Sequence, residues 1–356
     1  MNTSALSTST MVVGIDVTTS NITGDGNPSP PADTLSPIVF YAVFSTIFVV
    51  GLIGNSLLIL IFARHKTMRT VPNTYIFNLA VADLLTTLSC ALAPLLDNTG
   101  ETLPLFCKTF QVILESSMGV SAFTLTALSA ERYYVIAHPL KNKVSSKKFT
   151  VCAVLSTWLI SVSFVVGKMV LKSPGSSSGC VQMYDPTSFA NTYTLIDFIV
   201  FYLIPVGVIA DFYILMAYEL YFGNRNFRKR SVSNSTNHLR VRKRIAGTVL
   251  VLVIMYAVCY FPYNFMSLKL YFDKDFHNNQ VWSLATNIIF CVGCIHNCFN
   301  PIILYSLSKS FRGHFNNYLF YSIFRKTIPV QEEHTDCQCS RCSKKTISKH
   351  SVTTKV

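Results

Sequence analysis

Seven times along this chain an apolar stretch runs long enough to cross a lipid bilayer, and that repetition constrains the fold more than any other feature. The first, Ile38 to Phe62, is 25 residues without one charged side chain. At about 1.5 Å per helical residue it exceeds a hydrocarbon thickness of about 30 Å. The others are Thr74 to Leu96, Phe110 to Ala137, Val151 to Gly167, Thr192 to Phe222, Ile245 to Leu268 and Val281 to Leu307. In lipid every backbone amide must find its partner inside the segment, so such stretches are helices. Composition agrees: 50% of the residues are hydrophobic and 13% charged, against about 25% charged in an ordinary soluble domain. The expected fold is an all-α membrane protein, a seven-transmembrane-helix bundle over residues 37–307.

The cations set the expected orientation. Of the 30 Lys and Arg, all but Lys108, Lys168, Lys172, Lys269 and Lys274 fall after spans one, three and five or in the tail. Positive charge concentrates on the cytoplasmic side, so the N-terminus is expected outside and the C-terminus inside. The same placement explains the net charge of +13 by contact with anionic membrane lipid rather than nucleic acid. Plasma membrane is the expected location.

The ends of the chain read differently from its middle. Residues 1–36 are rich in Ser, Thr, Pro and Asn, carry no Lys or Arg, and are expected to be a disordered extracellular segment. No signal peptide is evident there. Asn2 and Asn21 begin glycosylation triplets. After the last span, 308–324 place apolar residues at three- and four-residue steps with cations between, the pattern of an amphipathic helix 8 lying in the membrane interface. Residues 325–356 turn polar and are expected to be a disordered cytoplasmic tail. Its Ser and Thr residues are phosphorylation sites that would dock arrestin, and the final Thr354-Lys-Val356 resembles a PDZ-protein ligand. Cys337, Cys339 and Cys342 lack a matched pair at zinc spacing, so no metal site is expected.

Ions within apolar spans mark functional sites. Here they are Asp83, Glu115, Asp197 and Asp211, plus the pair Glu131-Arg132 with Tyr133 at the inner end of span three. Asn55, Ser121, His296, Asn297 and Asn300 add polarity at mid-depth, and Pro205, Pro262 and Pro301 interrupt the helical ladder where a bend or hinge would form. In the outer half, Glu115, Asp197 and Asp97 face the single base Lys269, with Gln111 one turn above Glu115. Three acids against one base point to a ligand with a cationic end. Cys107 and Cys180 lie on the expected extracellular side, where a disulfide between them is permitted.

These residues resemble a family. Gly54-Asn55, Leu79-Ala-Val-Ala-Asp83, Glu131-Arg132-Tyr133, Trp158, Pro205 with Tyr213, Cys259-Tyr-Phe-Pro262 and Asn300-Pro301-Ile-Ile-Leu-Tyr305 occur in the order seen in rhodopsin-like (class A) G-protein-coupled receptors. Gly51-Leu-Ile-Gly-Asn, Met68-Arg-Thr-Val-Pro-Asn, the Gly119 to Tyr133 run and Leu307-Ser-Lys-Ser-Phe-Arg-Gly-His-Phe look like the bombesin and gastrin-releasing-peptide receptor group, near the endothelin and CCHamide receptors. The resemblance implies a receptor, not an enzyme, for a secreted neuropeptide, signalling to a heterotrimeric G protein through Gq and calcium. It implies that Arg132 meets the G protein, that Glu131 restrains it, and that Tyr213 and Tyr305 swing toward it. It gives Asp83, Ser121 and Asn300 as a sodium site, sodium being the one cofactor expected, and Cys107 with Cys180 as the disulfide.

The chain also departs from the pattern. Tyr260 stands where the family has its toggle Trp, Tyr256 replaces a Phe, His296 replaces an Asn, and Arg242 replaces the acid that would lock Arg132 from helix six. Leu114 and Cys294 exclude the Asp of amine receptors and the Schiff-base Lys of opsins. Two rivals stay open at this point: an ion-coupled transporter or channel using the intramembrane carboxylates, and a constitutively active orphan receptor.

Overall fold

The computed structural model describes residues 37–97, 104–137, 147–171, 188–219, 234–272 and 281–323. Within them lie seven long helices and an eighth, shorter one: α1 Pro37–Arg64, α2 Val71–Asp97, α3 Pro104–Ala137, α4 Lys147–Leu171, α5 from Ser188–Phe198 through Ile204–Tyr218, α6 Asn234–Phe272, α7 Val281–Leu307 and α8 Lys309–Ile323. A 3-10 turn, Lys66–Met68, joins α1 to α2. By length and composition six of these carry membrane-crossing stretches, and α7 carries a shorter apolar one, Cys291–Leu307.

Several helices outrun the apolar stretches that predict them. α6 begins at Asn234 instead of Ile245, so part of the cationic stretch read as a loop is helical. α4 begins at Lys147 and ends at Leu171, beyond both ends of Val151 to Gly167. Hydropathy marks where a helix meets lipid; the hydrogen-bond ladder continues into water wherever nothing stops it.

α3 is the hub, packed against α2, α4, α5 and α6. Its Val120, Ala122, Leu125 and Leu128 are fully buried. The half of the bundle at the Arg132 end of α3, the inner half, holds the apolar core where Leu58, Tyr75, Leu79, Ile209, Leu252 and Leu304 meet, and the Glu115 end is the outer half. The outward faces of α4 and α5 are the reverse. Leu159 is 67% exposed, Val170 76% and Ile214 66%, as expected where lipid is the solvent.

Two glycines permit close helix approaches. A Cβ on Gly54 would lie 2.5 Å from Cγ of Pro301, so α1 and α7 meet backbone against proline ring. A Cβ on Gly119 would lie 2.5 Å from the Phe201 ring and 2.9 Å from Ser161 Oγ, which seats α3 against α4 and α5. Small residues at such points are how membrane helices approach closely.

Of the three membrane-span prolines, one adjoins an irregular turn. Pro262 and Pro301 lie inside α6 and α7. Pro205 follows a π-helical turn, Ile199–Leu203, in the middle of α5. Such turns add a residue and disturb the carbonyl pairing locally. α8 packs back on α1 through its apolar face, with Phe311 and Phe315 buried. His65 and His314 stack with centroids 4.1 Å apart, and His65 Nε2 lies 3.2 Å from the Tyr318 hydroxyl. Burial first, and then the neighbouring His65, hold His314 below the usual histidine value.

Candidate functional site

Three polar layers are stacked along α3, at Glu115, Ser121 and Arg132. Seventeen helical residues separate the first from the last, roughly 25 Å.

The outer layer joins three helices. Lys168 of α4 donates to Oε2 of Glu115 on α3 and, at 3.0 Å, to Oδ2 of Asp197 on α5. Gln111 Nε2 donates to Glu115 Oε1 at 3.1 Å. Asp197 Oδ1 is buried and accepts no hydrogen bond. The structure therefore brings Glu115, Asp197 and Gln111 together as read from the sequence, but around a base that reading assigned to a loop. The tally of three acids against Lys269 is corrected: Lys168 already holds two of them. Lys269 lies exposed near the outer end of α6. The side chains of Asp97 and Cys107, and all of Asn2, Asn21 and Cys180, lie outside the described residues.

One signal could have found Lys168. Two carboxylates at this depth require a counter-ion, and Lys168 directly follows the fourth apolar stretch.

The middle layer surrounds Asp83 of α2, which is fully buried. Asn300 Nδ2 of α7 donates to Oδ2, and Ser121 Oγ of α3 lies 3.4 Å from Oδ1. Asn55 Nδ2 donates to the carbonyls of Gly51 at 3.0 Å and Asn297 at 2.9 Å. Asn55 Oδ1 and Asn300 Oδ1 have no partner. The carboxylate, the hydroxyl and these unpaired oxygens are the hard donor set a small cation takes, so the residues fit the sodium expected here. Immediately beside this layer, His296 is buried with both ring nitrogens unpartnered. Tyr260 and Tyr256 meet it edge-on at 5.1 and 5.5 Å.

At the level of the middle layer, α5 and α6 are cross-bonded. Tyr256 donates to the carbonyl of Phe201 at 2.7 Å, inside the π-helical turn. In return Tyr202 donates to the carbonyl of Ala257 at 3.0 Å. The substitution of Phe by Tyr256 is thus the gain of a hydroxyl with a defined acceptor. Pro205 is buried directly after that turn.

The inner layer is the Glu131–Arg132 ion pair, each side chain 5% exposed. Arg132 Nε has no partner. Tyr133 packs on Phe212 of α5. Tyr213 of α5 donates to the carbonyl of Ala246 on α6 at 3.0 Å, and Arg244 Nη2 of α6 donates to the carbonyl of Leu307 on α7 at 2.9 Å. Tyr305, expected to swing toward Arg132, is turned toward α8 in this conformer. Its hydroxyl lies 3.1 Å from Asn316 Oδ1 of α8, on the exposed side, and its ring packs on Phe315. Three residues separate Pro301 from Tyr305, and the one directly before it, Leu304, occupies the buried position.

The family model for the rhodopsin family of 7 transmembrane receptors matches residues 54–304. The chain is 33% identical over 300 residues to the neuropeptide CCHamide-1 receptor of Drosophila melanogaster, covering 78% of this chain and 59% of that receptor's own length. It is 37% identical over 313 residues to a bombesin receptor of Bombina orientalis, covering 82% and 78%. It is 33% identical over 331 residues to bombesin receptor subtype-3 of Ovis aries, covering 88% and 81%.

Proposed function

Because the chain belongs to the rhodopsin family of seven-transmembrane receptors, and is a multi-pass membrane receptor rather than an enzyme, we propose that it responds to a secreted peptide of the bombesin or CCHamide class and activates a heterotrimeric G protein. The observation that carries this reading is the placement of charge along α3. Arg132 is held buried at the inner end by Glu131 alone among the described acids, while Glu115 and Gln111 face the outer end. Peptide bound at the outer end favours the conformer in which α6 pivots about Pro262, and the equilibrium shifts by the difference in peptide affinity between the two conformers. Opening at the inner end must break the Tyr213–Ala246 and Arg244–Leu307 bonds, which hold α6 to α5 and α7. It frees Arg132 for the G protein. Bound G protein in turn tightens peptide binding by the same factor.

The finer parts of the reading follow from the resemblance and the charge pattern. The N-terminus lies outside the plasma membrane and the tail in the cytoplasm. Coupling runs through Gq to calcium. Cys107 and Cys180 are bridged, and Asn2 and Asn21 carry glycans. Sodium held by Asp83, Ser121 and Asn300 would compensate the buried carboxylate. The phosphorylated tail binds arrestin, and its last residues bind a PDZ protein. A proton or ion relay is less well supported, because Lys168 occupies Glu115 and Asp197.

The test is a calcium assay in cells expressing the chain with a promiscuous G protein, challenged with amidated peptides of bombesin, CCHamide and endothelin type. One of them is expected to signal, and Arg132→Ala at equal surface expression to abolish the response. Full signalling by Arg132→Ala would overturn the mechanism.

A further inference from the structure

The outer triad is unbalanced in charge and in hydrogen bonding, and both imbalances fall on the same atom. Two carboxylates share one ammonium, so the ionised cluster carries one negative charge. Glu115 is satisfied on both oxygens, by Lys168 and by Gln111. Asp197 is satisfied on Oδ2 alone, and its Oδ1 is buried without a donor. An acceptor left bare away from water is a costly state unless something fills it.

The triad bridges three helices: its members come from α3, α4 and α5. The Asp197 side chain is part-exposed although Oδ1 is buried, so a turn of its carboxylate brings that oxygen to an approaching group. The three side chains keep 18%, 25% and 32% of their exposure, and α4 ends three residues beyond Lys168.

We propose that Asp197 Oδ1 receives one cationic group of the peptide ligand, a lysine, an arginine or a free amino terminus, and that Lys168 sets the specificity by cancelling the second carboxylate. This rests on the peptide-receptor reading and names the chemistry that the site selects. With Lys168 in place, one positive charge completes the cluster. A second is left without a counter-charge, and an acidic group meets like charge. Charge-assisted hydrogen bonds are the strong ones, and low local dielectric raises their value. Rejection of wrongly charged peptides comes from that same balance.

The experiment uses the full chain in lipid nanodiscs and two probes with a blocked α-amine, N-acetylarginine amide and its uncharged analogue N-acetylcitrulline amide (arginine amide and citrulline amide for short), at millimolar concentration. Arginine amide is expected to raise the thermal midpoint, citrulline amide not to, and Asp197→Asn to erase the difference. In the signalling assay, replacing the basic residue of an active peptide by norleucine is expected to lower potency about 10- to 100-fold on the natural receptor. On Asp197→Asn that penalty should shrink to near unity, the signature of coupled partners. Lys168→Arg, which keeps the charge, should retain the preference. Equal effects of the two amides, or an undiminished norleucine penalty on Asp197→Asn, would sink the proposal. So would stabilisation by sodium over choline chloride, with no arginine effect, that depends on Asp197. If arginine amide binds through Asp197 but no amidated peptide signals, the peptide-receptor reading fails and the cation site stands.

Discussion

The two ionic layers of this bundle are built in opposite ways. The outer one places a single lysine between acids on two other helices, so it ties α3, α4 and α5 to each other. The inner one pairs adjacent residues of one helix, Glu131 with Arg132, and ties no helix to another. Releasing Lys168 would loosen three helices; releasing Arg132 loosens none. The outer layer is therefore a fixed frame and the inner one a side-chain latch. What holds the helices together at the inner end is bonds aimed at backbone carbonyls, from Tyr213 and Arg244, and at the level of the middle layer Tyr202 and Tyr256 do the same.

The strongest way to break this contrast is Lys168→Met. It leaves two carboxylates unpaired in a low-dielectric frame, and removal of one partner from a buried pair costs about 3 kcal/mol or more. A large fall in thermal midpoint and surface expression is expected, with recovery when Glu115→Gln and Asp197→Asn are added. If the single variant is as stable as the natural chain, the outer layer is not a frame. Glu131→Gln comes next. It should raise ligand-independent signalling about tenfold, measured as basal inositol phosphate at matched expression, while lowering the thermal midpoint less than Lys168→Met does. Equal losses of stability would erase the distinction between frame and latch.

Tyr256→Phe removes one hydroxyl and nothing else. Loss of one net hydrogen bond, about 1 kcal/mol, translates to roughly a fivefold rise in basal signalling if the bond exists only at rest. An unchanged basal level would mean that the α5–α6 cross-bond persists through activation. The smallest effect concerns α8. His314 is held below the ordinary histidine value near 6.5 by burial and by His65. A depressed value means that docking is favoured above the ordinary value and weakens as pH falls below it. Hydrogen exchange across 309–323 should therefore quicken modestly between pH 7.5 and 5.5, and His314→Asn should flatten that dependence.

Much of this was legible in the chain. The helix count, the depth of Asp83 and the inner position of Glu131–Arg132 follow from hydropathy and motif order, since lipid leaves an apolar run no alternative to a helix. Glu115, Asp197 and Gln111 share the outer half by their place along spans three and five, and the structure sets them side by side. Lys168 was misplaced because hydropathy ends a span where charge begins, whereas the long lysine stem lets its ammonium fold back on the bundle. The Tyr256–Phe201 bond had no sequence signal. It depends on a π-helical turn that shifts one carbonyl, and no composition rule marks such a turn. Tyr305 follows the buried Leu304 directly, and one step along a helix turns a side chain by about 100°.

The contact of Gly54 with Pro301 restricts how α7 can move. The pyrrolidine ring occupies the notch left by the missing side chain, and Asn55, bonded to the Asn297 carbonyl at 2.9 Å, fixes the height. Sliding along α1 by one residue would drive the ring against Ile53 or Asn55. Rotation about the notch meets no such obstacle. Of the rigid-body freedoms available to α7, translation is removed and tilt retained, so force applied at its outer end reaches the inner end as a change of angle.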